Sequence, residues 1–390
     1  MSIFTQNGLM VAAYEPLSVG IRPLGDITDE IAGYSHTLLA DGGYWSAGVG
    51  LSGTKNEVEE WIENGLARRI VIYDHTMFPI GEYFVNAISA SVGTRRVKVG
   101  PLLSAPNRVS VAYTPKDASV VPPVTGTKTV SSVINNTTPQ ARYGIIEKLL
   151  DGGEMTAADV AQFEQTFLAE YAYPISTETI ELGSSEAPSL SLECLGYIHW
   201  MNAYTYTNTT AGTVTYSARL QALLAANPNA GMFSTDYGGI GANAATIEQY
   251  TVDNKTAYSL AKETVARGDA AYNRWTFGMY ADRKAVYAAL PTTQEYAHEI
   301  TAPEMEITRA TGRAVVEPWN VLPARWVFDP DFLIGRSPVV TDIRQDPRNV
   351  FIESVSFSAP YGLSLNGSRV ATFSLNQIML AMGINGLGGA

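Results

Sequence analysis

Between residues 256 and 291 the spacing of apolar side chains changes period once, and the change predicts a helix followed by a hairpin. Ala257, Leu260, Ala261, Thr264 and Val265 recur at three- and four-residue steps, as one buried helix face requires. Gly268, a residue that tolerates left-handed backbone, marks the helix end. Trp275, Phe277 and Met279 then alternate. Ala281-Asp282-Arg283 turns the chain, and Ala285, Tyr287 and Ala289 alternate on the return. This is a packing unit with no chemistry visible in it.

Upstream, residues 1–40 are short apolar runs broken by Gly and Pro. Tyr44, Trp45, Val49 and Leu51 predict a strand. A helix is expected over 56–66, with Val58, Trp61, Ile62 and Leu66 on its buried side. Its acidic cluster, Glu57, Glu59, Glu60 and Glu63, reads as a solvated face near a helix N-terminus, where the dipole favours it. Strands are expected over 69–74, 81–90, 95–99 and 107–114, the last with Val109, Val111 and Tyr113 alternating. Strands at this spacing, with one interrupting helix and Gly/Pro turns, fit an antiparallel barrel or split sandwich.

Residues 115–137 are rich in Pro, Thr, Ser and Val and read as a linker or arm, stiffest at Pro122-Pro123. A helical pair is expected next. Thr138 caps a first helix lined by Ile145, Ile146, Leu149 and Leu150 and ended by Gly152-Gly153. Thr156 caps a second, bearing Val160, Phe163, Phe167 and Tyr171, which Pro174 stops. Residues 190–201 return to strand, and Cys194 inside that apolar run reads as a buried inert thiol. Residues 201–215 read as a second arm, 215–226 as a short helix and the Gly-rich stretch 236–245 as a flexible loop. Strand-like runs follow at 305–318, 325–328 and 349–357, then a short helix over 374–382 and a Gly-rich tail. The run FIESVSFSAPYGLSL near the end echoes EYFVNAISASVGTRRV near the start, as two similar β-domains would.

Composition narrows the function classes. Charged residues make up only 16% of the chain, so much of its surface is uncharged polar or is buried against partners. Net charge is −12, which disfavours electrostatic wrapping of nucleic acid but permits an acidic wall that nucleic acid slides past. A single cysteine rules out an internal disulfide framework. The N-terminal stretch has neither the basic nor the apolar region of a secretory signal, and no apolar run approaches a membrane span.

Chemical motifs fail on inspection. His36, His75, His199 and His298 have no metal-ligand spacing, and His298-Glu299 opens like a zinc-protease helix but has Ala302 where the second histidine belongs. Gly239-Ile240-Gly241 resembles a dinucleotide fingerprint without the strand that should precede it. Neither a cofactor nor a metal is implied. Asp329 and Asp331 flank Pro330 in an expected turn, and Glu317 and Asp329 near Trp319 and Trp326 would serve a β-rich polysaccharide hydrolase. The 21 tyrosines suit protein interfaces or sheet faces, or the platform of a host-receptor or carbohydrate-binding module.

Three stretches carry a family resemblance: GLARRIVIYD with GEYFVNAISASVGTRRVKVGPLLSAPNRVSVAY at 65–113, YGIIEKLLDGGEMTAADVAQFEQTFLAEY at 143–171, and SLAKETVARGDAAYNRWTFGMYADRKAVYAALP at 259–291. In these, and in the order of features over most of its length, the chain resembles the tail hub (baseplate hub) proteins of tailed bacteriophages. The resemblance implies an α+β, mainly β chain with two tail-tube-like antiparallel β-barrel (split barrel) domains and a helical and helix-hairpin insertion. The corresponding boundaries are 1–120 for the first barrel, 121–137 for a linker or arm and 138–205 for the helical pair and first strands of the second barrel. Residues 206–300 are then the inserted domain, and 301–390 the returning strands and tail. It implies a non-enzymatic virion subunit, assembled in the host cytoplasm. Three copies would form a ring joining a sixfold tail tube, or a distal tail protein, to a threefold tip or spike, with a tape measure protein as a further candidate partner. DNA would pass through without being held, and no membrane is involved. The basic residues Arg68, Arg69, Arg95, Arg96 and Lys98 are then expected at interfaces, paired with carboxylates of a neighbouring subunit.

Overall fold

Residues 186–196 alternate Ser189, Ser191 and Glu193 with Leu190, Leu192 and Cys194, and the strand they form stands in the middle of the molecule. The computed structural model describes residues 10–73, 77, 79–117, 124–182, 186–271, 273–289, 296–299, 338–341, 347–359 and 362–369. The first third of the chain supplies β1 (Met10–Tyr14), β2 (Pro23–Asp26), β3 (Ile31–Leu39), β4 (Gly42–Ser52), α1 (Lys55–Asn64), β5 (Arg69–Tyr73), β6 (Pro79–Gly93), β7 (Arg95–Val99) and β8 (Arg108–Asp117). There follow β9 (Val124–Thr125), β10 (Thr129–Val130), β11 (Ile134–Asn135), α2 (Thr137–Tyr143), β12 (Glu147–Met155), α3 (Ala157–Tyr171), β13 (Ser176–Ile180) and the central strand, β14 (Glu186–Gly196). The next part holds β15 (Thr205–Asn208), β16 (Thr213–Thr215), α4 (Tyr216–Ala225), β17 (Thr246–Glu248), β18 (Thr251–Thr256), α5 (Ala257–Ala266), β19 (Trp275–Met279) and β20 (Ala285–Ala289). Last come β21 (Tyr296–Glu299), β22 (Pro338–Thr341), β23 (Pro347–Ala359) and β24 (Gly362–Arg369).

The fold is α+β and mainly β. Its main sheet runs β2-β1-β5-β6-β14-β4-β3-β23-β22-β21, and β6 is its longest strand. Along one edge β6 carries β5 and then β7; along the other it carries β14. β7 in turn carries β13. Residues 80–88 of β6 are buried on both faces, which explains why EYFVNAI reads as an unbroken run with little alternation. Ile88 lies against Gly65 at the end of α1, and Phe84 stacks 5.3 Å from Trp200.

A second sheet centres on β8, with β9, β10 and β11 antiparallel to it and β12 parallel. α3 closes it over a core of its own: Val109, Val111, Leu150, Val160, Leu168 and Ala172. The helix begins where the sequence indicates, at a capping box in which Thr156 and Asp159 satisfy each other's backbone N–H groups. α1 begins the same way at Thr54 and Glu57. α4 and α5 start at Thr215 and Thr256. The buried face of α5 is Ala257, Leu260, Ala261, Thr264 and Val265, as its spacing predicts.

Four expectations are corrected. The first helix of the expected pair stops at Tyr143, and Ile146 to Leu150 enter or precede a strand. Gly144 sits at φ +87, and Asn107 and Asn229 bond the backbone of residues 144–146, so tertiary partners take the groups a helix would use. The strand expected over 190–201 ends at Gly196, and Tyr197–Asn202 form a 3-10 helix. The arm at 201–215 contains β15 and β16, paired to β18 and β17. The Gly-rich stretch 236–245 is docked: Gly241 N and Tyr287 N bond Tyr287 O and Gly239 O at 2.8 and 3.0 Å. A side chain at Gly239 or Gly241 would meet the Ala285 or Tyr287 carbonyl.

Among the described residues the main sheet is an open path and does not close on itself. β14, assigned from sequence to a second barrel, lies between β4 and β6 of the first, and β23 extends β3. The two stretches that echo each other are both hairpins of this one sheet, β6–β7 and β23–β24. The expected elements at 305–318, 325–328 and 374–382 lie outside the described residues.

Two glycines permit close backbone approaches to β4, one from the insertion and one from β14. Gly43, at φ +71, lies against the backbone of Met279 where β19 meets β4, and a methyl on Gly196 would overlap the Tyr44 carbonyl. Replacing Gly196 by Ala is therefore expected to cost about 3 kcal/mol or more, because backbone cannot yield as a side chain can. Gly153→Ala, at φ +66 with open space around it, should cost only about 1–2 kcal/mol for the left-handed backbone. Urea denaturation of the two variants tests the ranking.

Candidate functional site

The described residues contain no group of three or more His, Cys, Asp or Glu side chains able to hold a metal. Cys194 is fully buried and burial pushes its thiol far up, which leaves it unreactive near neutral pH. His36 is buried on β3, 2.6 Å from the Tyr34 hydroxyl, and burial lowers its pKa to about 3. His199 bonds the Trp45 carbonyl at 3.2 Å and is also lowered by burial. His75, Glu317, Trp319, Trp326 and Asp329 lie outside the described residues.

The four arginines singled out in the sequence find acidic partners within this chain. Arg68 forms a two-pronged pair with Glu60 and lies 4.7 Å over the Trp61 ring. Arg69 reaches Glu82 at 2.8 Å and covers Tyr14. Arg95 bonds Glu178 and Glu59 at 2.7 and 2.8 Å, and these two bonds hold its guanidinium pKa above the usual value. Arg96 bonds Glu186 and Glu181 at 2.7 and 3.1 Å. Lys98 is exposed on β7. The acidic cluster of α1 is thus more than a solvated face: Glu59 and Glu60 fasten the helix to the sheet, while Glu57 caps it.

Glu82 is the most buried of these charges, at 1% exposure, and it receives two arginines. Arg283 approaches from the β19–β20 turn at 2.6 Å, its backbone at φ +57. A left-handed backbone is costly for a side chain of this size, and here the turn delivers a cation to a carboxylate that has no water to solvate it. The anchor therefore ties β5, β6 and the helix-hairpin insertion together. The sequence showed the turn but gave no sign that its arginine pointed inward.

The second feature is a surface. Cross-strand partners share a face, so registers identify which side chains stand together. Thr177 and Thr179 of β13 face Lys98 and Arg96 of β7, which face Ser89 and Ser91 of β6. Ser191 and Ser189 of β14 come next, then Gly50 and Ser52 of β4. Along the same face run Glu193, Gly48, Ser35 and Ser358, and beside them Ser46, Thr37 and Ser356. Seven adjacent strands thus present one face of hydroxyls and bare backbone. Thr37 and Ser356 hydroxyls lie 3.2 Å apart on it. A groove of about 380 Å³ runs between Ser89, Ser91, Lys98, Thr177, Ser189 and Ser191. The few charges nearly cancel, since Arg96 is held by Glu181 and Glu186, and Lys98 is matched by Glu193 on the same face. The signal was present in the sequence as Ser or Gly at every second position of several strands.

No family model matches the chain, and no curated protein sequence matches it. Among solved structures it is similar to the prophage MuSo2 43 kDa tail protein from Shewanella oneidensis, with a TM-score of 0.38 and 8% identity over 93% of this chain and 97% of that one. It is also similar to the prophage tail protein gp18 from Listeria monocytogenes EGD-e, with a TM-score of 0.35 and 8% identity over 96% of this chain and 98% of that one. At these values neither likeness fixes a function.

Two outcomes follow from the buried charges. Glu82→Ala leaves Arg69 and Arg283 without their counter-charge and should cost about 3–5 kcal/mol, whereas Arg96→Ala at the exposed pair should cost about 0–1 kcal/mol. Chemical denaturation at neutral pH distinguishes them. His36 is neutral when folded and titrates near 6.5 when unfolded. Its folded pKa is depressed, so its contribution is intact above 6.5 and is lost as pH falls toward 3. Between pH 7 and pH 4 the protein should lose on the order of 2–3 kcal/mol more stability than His36→Gln. Equal losses in the two proteins would overturn the assignment.

Proposed function

We propose that this chain is a structural subunit of a bacteriophage tail, and within it the hub that joins the sixfold tube to the threefold tip. In this reading three copies form a ring. Each contributes its main sheet, completed into a barrel wall by its neighbours. The tail tube or a distal tail protein lies on one side, and the tip or spike on the other. The subunit is not an enzyme, it resides in the virion, and DNA crosses the ring during ejection.

The hydroxyl and glycine face of the main sheet carries the reading. Duplex DNA is a dense polyanion, and proteins hold it chiefly through Lys and Arg that displace its counterions. A wall of Ser, Thr and Gly with nearly cancelled charge gives a passing phosphate water-like contacts and no grip. The chain's overall charge of −12 adds a mild repulsion. The arginines at 68, 69, 95 and 96, which would otherwise grip DNA, are already neutralised by carboxylates of their own chain. They serve to stiffen the wall, and their exposed flanks remain available to interfaces.

Two measurements test this. Mass photometry of the purified chain should find a ring of three, and a stable single chain across a broad concentration range would count heavily against it. In a gel at about physiological salt the protein should leave double-stranded DNA unretarded. The triple variant Ser35→Lys, Ser89→Lys, Ser191→Lys should retard it, with the salt slope steepening by about 0.9 for each lysine that reaches a phosphate. Retention of DNA by the unmodified protein would sink the proposal.

A further inference from the structure

Arg219 is a buried cation that pairs with no described carboxylate. It stands on α4 and is 4% exposed. Its Nη1 donates to the Gln249 carbonyl at 2.9 Å, and the guanidinium lies 5.5 Å from the centre of the Tyr206 ring. Nε is sealed from solvent and donates to no described group. Nη2 has no described partner either, but it is not sealed, so it still meets solvent.

The other buried charges of this protein meet their opposites. Glu82 takes Arg69 and Arg283, and Arg68 takes Glu60. Pairing is the rule because a buried ion without a partner bears the full cost of desolvation. A carbonyl and a ring face offset part of that cost at Arg219, but neither carries a full negative charge. The surrounding charges add to the imbalance. Burial first, and then the charge of Arg267, lower the guanidinium pKa of Arg219. Arg267, at the end of α5, is exposed and forms no ion pair among the described residues. Glu263, which acts in the opposite sense, lies 2.8 Å from Lys255 and is shared with it. A chain with 38 acidic and 26 basic residues thus keeps two arginines side by side without a carboxylate of their own.

The unbonded edge of the guanidinium also has a preferred ligand. Nε–H and Nη2–H point the same way from the planar group, in the fork that takes two oxygens of a carboxylate or phosphate at once. Gln249 occupies only the other side, at Nη1. We infer that Arg219, with Arg267 beside it, seats an oxyanion – a carboxylate or a phosphate group – at Nη2, with Nε completing the fork as the half-buried Tyr206 ring gives way. The seat lies in the insertion between α4, α5 and β15. It is independent of the assembly reading above and survives that reading's failure.

The test uses the full chain and inorganic phosphate, titrated against sodium chloride at equal ionic strength so that screening is matched. Calorimetry should show saturable phosphate binding, and the melting temperature should rise with phosphate and not with chloride. Arg219→Met keeps much of the side chain's length without the fork. It should weaken phosphate binding about tenfold or more, as the loss of charge-assisted hydrogen bonds implies. A change at a buried position can disturb the fold, so Arg267→Ala gives a second reading at an exposed one. Its melting temperature without phosphate should match that of the unmodified protein, while phosphate binds about two- to fivefold more weakly. Acetate, titrated in the same way, tests the carboxylate source. A response to either anion that Arg219→Met abolishes supports the inference. No response to either anion, equal binding by Arg219→Met, or equal binding by Arg267→Ala would each overturn it.

Discussion

β4 and β6 do not pair with each other. They are joined by β14, which begins 93 residues after β6 ends and bonds to both. Without it the first hundred residues form two separate strand groups, β3–β4 on one side and β1, β2, β5, β6 and β7 on the other. The central sheet therefore depends on a pairing of high sequence separation, whose loop-closure entropy must be met before the contacts reward it. Leu190, Leu192 and Cys194 supply the reward, since all three are buried in the sheet's inner face. Gly196 lets the strand end directly against the Tyr44 carbonyl and turn into the aromatic helix that supports Phe84.

The helix-hairpin insertion is fastened to this sheet twice, by unlike forces. At β4 the bare backbone of Gly43 allows β19 to lie alongside. At β6 the buried Glu82 takes Arg283 from the turn and Arg69 from β5. A carboxylate so placed is a poor source of net stability, because its desolvation offsets most of the attraction. What it supplies is position: the turn fits only where its arginine meets that carboxylate. The α1 helix is set in a related way, by Arg68 and Arg95 reaching up from the sheet to Glu60 and Glu59. Charges buried or half-buried on the inner side thus fix the geometry, and the outer side is left nearly free of them.

That division of charge gives the proposed role its physical content. A wall that must not hold a polyanion needs polar groups for wetting and few unpaired cations. The sheet meets this by placing Ser, Thr and Gly outward and by giving its arginines carboxylate partners at each strand end.

The sequence alone determined the local elements wherever one periodicity ruled. The faces of α1 and α5, the β19–β20 turn, β7 and the Thr156 cap of α3 follow from side-chain spacing and capping chemistry, which act within a few residues; Thr138, also expected as a cap, lies inside α2. It also showed that the chain is mainly β and low in charge. It misjudged residues 145–150, because Leu149 and Leu150 satisfy a helix period and a strand period alike, and only the parallel partner β8 decides between them. It placed β14 in a separate barrel, because nothing in an alternating strand names its neighbours. It left the acidic residues of α1 in solvent, because ion pairs across 36 residues, as from Glu59 to Arg95, leave no mark on local pattern. The outward hydroxyl face was written in the sequence as single positions; that they form one surface was decided only when the register of seven strands aligned them.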